Sequence, residues 1–107
     1  MKTKRKLPGI TALREKTLEI NRTYTYSDRT TEKPVVAVLS EGTAVWLLVI
    51  RGERRDIYAI RKPFFKKDPK SIRSTHYHIY QQGSDGSRLR ALAETAEECV
   101  ETVIALQ

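Results

Sequence analysis

The stretch AVWLLVIR, residues Ala44–Arg51, decides the fold because it is apolar on both faces if it forms a strand. The turn sequences EGT and GERR separate it from two further apolar segments, Val35–Ser40 and Asp56–Arg61. Short runs rich in Val, Ile, Tyr and Trp between glycine-bearing turns are typical of β-hairpins. An antiparallel strand with a solvated face normally alternates apolar and polar residues. We therefore expect Ala44–Arg51 to be a central strand covered on both faces, with Trp46 largely buried.

Helices are predicted at both ends of this meander. Between Ile10 and Ile20, apolar or small residues recur at offsets of three and four, which favours a short N-terminal helix. Near the C-terminus, Thr95-Ala96-Glu97-Glu98 fits a capping box, in which the first hydroxyl caps a backbone N–H and the last carboxylate reaches back. An apolar helical stripe follows it. This stripe consists of Ala96, Cys99, Val100, Val103 and Ile104.

A further hairpin precedes that helix. His76–Gln81 is predicted as a strand, and the turn sequence GSDGS closes it against RLRAL. The segment from Tyr77 to Val103 resembles the strand–strand–helix pattern of AP2- and integrase-type DNA-binding modules. Because a turn and a capping box carry this resemblance, and many unrelated proteins share both, it identifies no family.

These elements predict one α+β domain, an antiparallel β-meander of four to five strands with a C-terminal helix packed on one face and a short N-terminal helix. Residues 1–9 are interpreted as a basic flexible tail and residues 10–107 as the single domain. One C-terminal helix cannot cover both faces of the central strand. We expect the N-terminal helix or a second copy of the chain to cover the other face, the latter giving a homodimer.

Composition excludes some classes of protein. No apolar run approaches the roughly 20 residues that a bilayer requires, so no membrane partner is expected. The opening MKTKRK is followed by LPGITALREK, which lacks the apolar core of a secretory signal. The single cysteine, Cys99, cannot form an internal disulfide, which fits a reducing compartment. The sequence therefore predicts a cytoplasmic protein.

Positive charge is concentrated in two blocks of the chain. The formal net charge is +7. Residues 1–16 carry six basic and one acidic side chain, and residues 51–73 carry nine and three. Residues 74–107 are acidic overall, with two basic and five acidic side chains. Such asymmetry predicts one basic face, and polyanions are the commonest partners of basic faces.

The segment RKPFFKKDPKSIR, residues 61–73, is the strongest candidate site. By composition it is a loop. Its basic side chains could contact phosphates while a phenylalanine stacks on an unpaired base. The alternative is a solvated loop whose phenylalanines fold back onto the core. Arginines of the preceding turn could join it at one end of the sheet. The predicted nucleic-acid-binding residues are Arg51, Arg54, Arg55, Lys62, Phe64, Lys66, Lys67, Lys70 and Arg73.

The two histidines and the cysteine are weaker candidates. His76 and His78 share one face of a strand, but a zinc site needs three or four protein ligands and no third is visible. We expect Tyr77 and Ile79 in the core, with His76, His78 and Tyr80 on the outside. Cys99 lies on the apolar stripe of a helix, where cysteine behaves as a small hydrophobe. We therefore name no catalytic residue, no metal ligand and no cofactor.

The favoured hypothesis is a non-enzymatic nucleic-acid-binding protein, binding DNA or RNA mainly through phosphate contacts with weak sequence preference. One alternative is a protein–protein adaptor or inhibitor that docks on an acidic partner surface. A second alternative is a small ribonuclease of toxin type, using His76 or His78 with nearby arginines.

Overall fold

A computed structural model describes residues 6–25, 34–62 and 75–107 of the chain, without the side chains of residues 23–25. Five strands form one antiparallel sheet in the order β1-β2-β3-β4-β5. A helix precedes the sheet and another follows it, so the predicted α+β meander is confirmed. The elements are α1 (Ile10–Thr25), β1 (Val35–Glu41), β2 (Ala44–Arg51), β3 (Arg54–Arg61), β4 (Tyr77–Gly83), β5 (Gly86–Ala93) and α2 (Ala96–Leu106).

The core lies on one face of the sheet. Val45, Leu47 and Val49 of β2 are fully buried and belong to a cluster that also contains Leu13 of α1 and Val100 of α2. Helix α1 contacts β1 and α2, and α2 contacts β4 and β5. Both helices therefore pack side by side on this face, which we call the helix face. We call the opposite face of the sheet the outer face.

The expectation that α1 covers the second face of β2 is therefore wrong. The apolar stripe of α1 joins the same core as α2, because two helices packed side by side bury their stripes against one sheet face. Trp46, Leu48 and Ile50 alternate with the buried residues of β2 and point to the outer face, where they are half-buried. Trp46 is therefore outside the fully buried core, and the prediction that it is largely buried holds only to this intermediate degree.

An asparagine ties α1 to the edge strand β1. The Asn21 side-chain amide donates to the carbonyl of Val36 at 2.8 Å, and its oxygen accepts from the N–H of Val36 at 2.9 Å. One side chain thus satisfies both backbone groups of an edge residue that has no further strand beyond it in the described sheet. Nearer the N-terminus of α1, Arg14 forms an ion pair with Glu41 at the end of β1. These two contacts hold α1 along the edge of the sheet.

Residues at the start of the described chain are packed against the domain. Leu7 is buried, and its N–H donates to the carbonyl of Gly42 at 2.7 Å. The hydroxyl of Tyr77 donates to the carbonyl of Pro8 at 2.6 Å. Gly9 has a φ of 78°, and a Cβ atom there would lie 2.6 Å from the Tyr77 hydroxyl. Residues 1–5 of the predicted tail lie outside the described residues.

The N-terminus of α2 has the predicted cap. The backbone N–H of Glu98 donates to the hydroxyl of Thr95 at 3.1 Å. The Glu98 carboxylate accepts from the N–H of Glu94 at 3.0 Å. In a standard capping box it would accept from the N–H of the cap residue itself, which is Thr95. At the other end of α2, the Gln107 side chain donates to the carbonyl of Val49 at 3.0 Å.

Leu47 and Leu48 offer a matched test of which face is the core. Leu47→Ala should lower the free energy of unfolding by about 2–5 kcal/mol, because it removes a fully buried side chain. Leu48→Ala should cost only about 1 kcal/mol, since its side chain is half-buried on the outer face. Urea unfolding of both variants measures the difference. Equal losses would contradict the assignment of the two faces.

Asn21→Ala should lower the free energy of unfolding by about 1–2 kcal/mol, because both hydrogen bonds to the Val36 backbone are removed. Arg22→Ala is the matched control, since its exposed side chain is the next on the same helix, and it should change stability by less than about 0.5 kcal/mol. Denaturant unfolding monitored by circular dichroism gives both values. If the two variants are equally stable, the hydrogen bonds of Asn21 to the Val36 backbone do not contribute to the free energy of unfolding.

Candidate nucleic-acid interface

Four of the nine predicted binding residues lie in the described part of the chain. They are Arg51, Arg54, Arg55 and Lys62. The other five, Phe64, Lys66, Lys67, Lys70 and Arg73, lie outside the described residues.

The three described arginines of the β2–β3 turn point to different faces. Arg51 and Arg54 are on the helix-face side, where the Arg51 Nε donates to the Gln107 side chain at 3.4 Å and the Arg54 Nε lies 3.1 Å from the Asp56 carboxylate. Arg55 is exposed on the outer face, opposite Ile50 in the register. Only one of the three therefore shares a face with the half-buried side chains of β2.

Lys62 lies at the opposite end of β3 from these arginines. Its Nζ atom is 4.7 Å from the centroid of the Tyr77 ring, in a cation–π contact. The eight residues of β3 span roughly 25 Å at about 3.3 Å per residue. Lys62 is the last described residue before segment 63–74, and it lies at the end of β3 away from Arg51, Arg54 and Arg55. The structure therefore does not bring Lys62 together with those arginines.

Arg61 begins the candidate segment 61–73 but was left out of the predicted binding residues. It is exposed and lies between Ala44 and His78 in the register, on the outer face. It is the last residue of β3 and directly precedes Lys62, the last described residue before segment 63–74. The signal was present in the sequence, because Arg55 and Arg61 are six residues apart and an even spacing puts both on the same face of a strand.

Aromatic side chains cross the middle of the outer face. In the register, Trp46 of β2 lies opposite Ala59 of β3, and Ala59 lies opposite Tyr80 of β4. Ala59 is only 4% exposed although no described helix lies on this face, because larger neighbours stand on both sides of it. His78 lies beside Tyr80, with ring centroids 6.2 Å apart and the His78 Nδ1 3.4 Å from the Tyr80 hydroxyl.

The acidic residues of the sheet lie on the helix face. The five strands contain two of them, Glu41 and Asp56, which lie opposite the buried Val45 and Val49 in the register. Glu41 pairs with Arg14 of α1, and this hydrogen-bonded ion pair holds the pKa of the Glu41 carboxyl below its ordinary value. No strand of the described sheet therefore presents a carboxylate on the outer face.

Several basic residues on the helix side have acidic partners. Arg14 pairs with Glu41, and the Nζ atom of Lys16 lies 3.4 Å from the carboxylate of Glu101. By contrast, Arg55 and Arg61 form no ion pair with any described residue. The positive charge of the outer face is thus not neutralised within the described part of the protein.

The histidine-bearing strand has the predicted orientation. Tyr77 and Ile79 are buried in the core, while His78 and Tyr80 are half-buried on the outer face. His76 precedes the strand; its Nδ1 lies 2.9 Å from the Thr75 hydroxyl and its Nε2 lies 3.9 Å from the Glu94 carboxylate. Among the described residues, no group of three His, Cys, Asp or Glu side chains is placed to hold a metal ion.

Comparison with known proteins gives no homologue. No protein-family model matches the chain, and neither curated proteins nor solved structures give a significant match. No described helix combines the length and the apolar character that a membrane crossing requires. The functional argument therefore depends on the geometry and charge of the outer face.

Cys99 is in the core, as the helical stripe predicts. It is fully buried, and burial raises the pKa of its thiol from 9.0 to about 12. A thiol in this state is not nucleophilic near neutral pH, because the thiolate is the reactive form.

Ellman's reagent should therefore leave Cys99 unmodified in the native protein at pH 8 and modify it once the protein is unfolded in guanidinium. Rapid reaction of Cys99 with Ellman's reagent in the native protein would contradict its buried position. The Cys99→Ala variant, which has no thiol, gives the background signal of the reagent.

The pKa of the Cys99 thiol also makes the stability of the fold depend on pH. The unfolded state loses the thiol proton first, so the contribution of Cys99 to the free energy of unfolding is present below pH 9 and is lost as the pH rises from about 9 to about 12.

Proposed function

We propose that this protein binds nucleic acid through the outer face of its sheet, mainly by phosphate contacts and with weak sequence preference. The observation that carries the proposal is the charge of that face. Arg55 and Arg61 are exposed there without a described ion-pair partner, and no strand of the described sheet contributes a carboxylate to it. Phosphates are the commonest hydrogen-bonding partners of arginines at nucleic-acid interfaces.

The position of the two arginines supports contact with an extended ligand. They lie near opposite ends of β3, six residues apart, which corresponds to roughly 20 Å. A nucleic-acid strand carries regularly spaced phosphates over such a distance, whereas a single small anion would reach only one of the two residues. Sequence-independent contacts of this kind give affinity and position without reading bases.

Basic residues of the adjacent segment extend the same proposal. Residues 63–74 follow Lys62 in the sequence, and Lys62 comes directly after Arg61 at the end of β3. Lys66, Lys67, Lys70 and Arg73 would therefore add phosphate contacts next to Arg61, and Phe64 a stacking contact. These contacts stay a prediction, because the residues are outside the described part of the chain.

Replacing both outer-face arginines should weaken binding and flatten its salt dependence. For each phosphate that the double variant Arg55→Ala, Arg61→Ala no longer neutralises, the log–log salt slope should fall by about 0.7 on single strands and about 0.9 on duplex. The matched control is Arg22→Ala, Arg88→Ala, which removes two exposed arginines from α1 and from the helix-face side of β5. Fluorescence anisotropy with labelled DNA and RNA, single- and double-stranded, at two salt concentrations measures both effects.

The same titration contains the outcomes that contradict the proposal. If no nucleic acid binds at low salt, the basic face has another partner, and an acidic protein surface becomes the leading alternative. If both double variants lose affinity equally, binding depends on the net charge of the protein and not on the arginines of the outer face. If the labelled RNA is shortened during the titration, and the His76→Ala, His78→Ala variant stops this, the ribonuclease alternative is favoured.

A further inference from the structure

We infer that the outer face is a stacking platform for single-stranded nucleic acid, with Trp46 and Tyr80 as two base-binding positions. This inference rests on the proposed function and names the ligand class of the same face. The bases of a duplex are already stacked on each other, whereas the bases of a single strand are free to lie on aromatic side chains. The side chains between the two arginines therefore decide which form of nucleic acid fits.

The register places the two aromatic side chains on either side of a small residue. Trp46, Ala59 and Tyr80 follow one another across β2, β3 and β4, so Trp46 and Tyr80 are two strand spacings apart, roughly 9 to 10 Å. Both side chains are half-buried and keep part of their surface open, while Ala59 between them is buried. Two aromatic side chains separated by an alanine provide two stacking positions instead of one closed aromatic cluster.

Neighbouring groups complete the platform. Arg61 lies two residues from Ala59 along β3, and His78 lies opposite Arg61. A guanidinium beside an aromatic stacking position is placed to contact the phosphate that connects two stacked nucleotides. His78 has its ring beside that of Tyr80 and would limit the movement of the phenol.

Charge argues against a second copy of the chain as the occupant. A two-fold dimer brings the same surface of both copies together. Arg55 and Arg61 of each copy would then enter the interface, and the described strands of the facing copy would offer them no carboxylate. Burying unpaired charge is costly, whereas a phosphate backbone brings its own negative charge. The outer face is therefore better matched to a polyanion than to itself.

The sole tryptophan of the chain makes Trp46 a direct reporter. A single-stranded oligothymidine should quench the Trp46 emission on binding, and a duplex of the same length should quench it much less and bind more weakly. Tyr80→Leu should weaken oligothymidine binding about tenfold and leave duplex binding nearly unchanged. Tyr80→Phe keeps the ring and should bind like the unmodified chain. Thermal unfolding of both variants checks that each remains folded.

The outcomes separate this inference from the proposed function. If single strands and duplex bind equally and Trp46 emission does not change, the stacking platform is wrong while nucleic-acid binding stands. If neither binds, the proposed function fails as well. If sedimentation shows a dimer that Trp46→Ala dissociates and oligothymidine does not, a second copy occupies the face and the inference is wrong.

Discussion

Val45, Leu47 and Val49 of β2 are fully buried in one core with residues of both helices, and the rest of the structure depends on this shared core. Side chains alternate between the faces of a strand, so burying these three residues sends the intervening apolar residues of β2 to the other side. Neither described helix covers them there. The protein is therefore a sheet with one closed face and one half-exposed face that is still apolar in its centre.

Charge follows the same division. On the helix side, basic and acidic residues meet across elements, as Arg14 and Glu41 do between α1 and β1. On the outer face, Arg55 and Arg61 lie at the margins of an apolar and aromatic centre that carries no carboxylate from the described strands. A surface with aromatic side chains in the middle and unneutralised arginines near its ends has the chemistry of a single-stranded nucleic-acid site. This combination, and not net charge alone, is the basis of the functional proposal.

Local sequence patterns predicted much of the fold. The bounds of β2 agree with the prediction, and the hairpin turn after β4 and the cap formed by Thr95 were found from their residues. Each of these features depends on neighbours a few residues apart, which sequence patterns reveal directly. Helix α1 begins at the predicted Ile10 but continues to Thr25, five residues beyond the predicted end. The end of α1 was harder to predict, because its last turns are supported by the hydrogen bonds between Asn21 and Val36, which is distant in the sequence.

The sequence by itself determined the elements, the alternation along each strand and the excess of positive charge. It identified β2 as apolar on both faces, but it could not tell which of those faces the helices cover. The tertiary structure decided this, because α1 and α2 share one core and leave Trp46 on the open side. It also decided that Arg54 has an acidic partner while Arg55, the next residue, has none among the described residues. The physical reason is that burial and charge pairing depend on contacts between residues far apart in the chain, whereas periodicity reflects only residues that are close together.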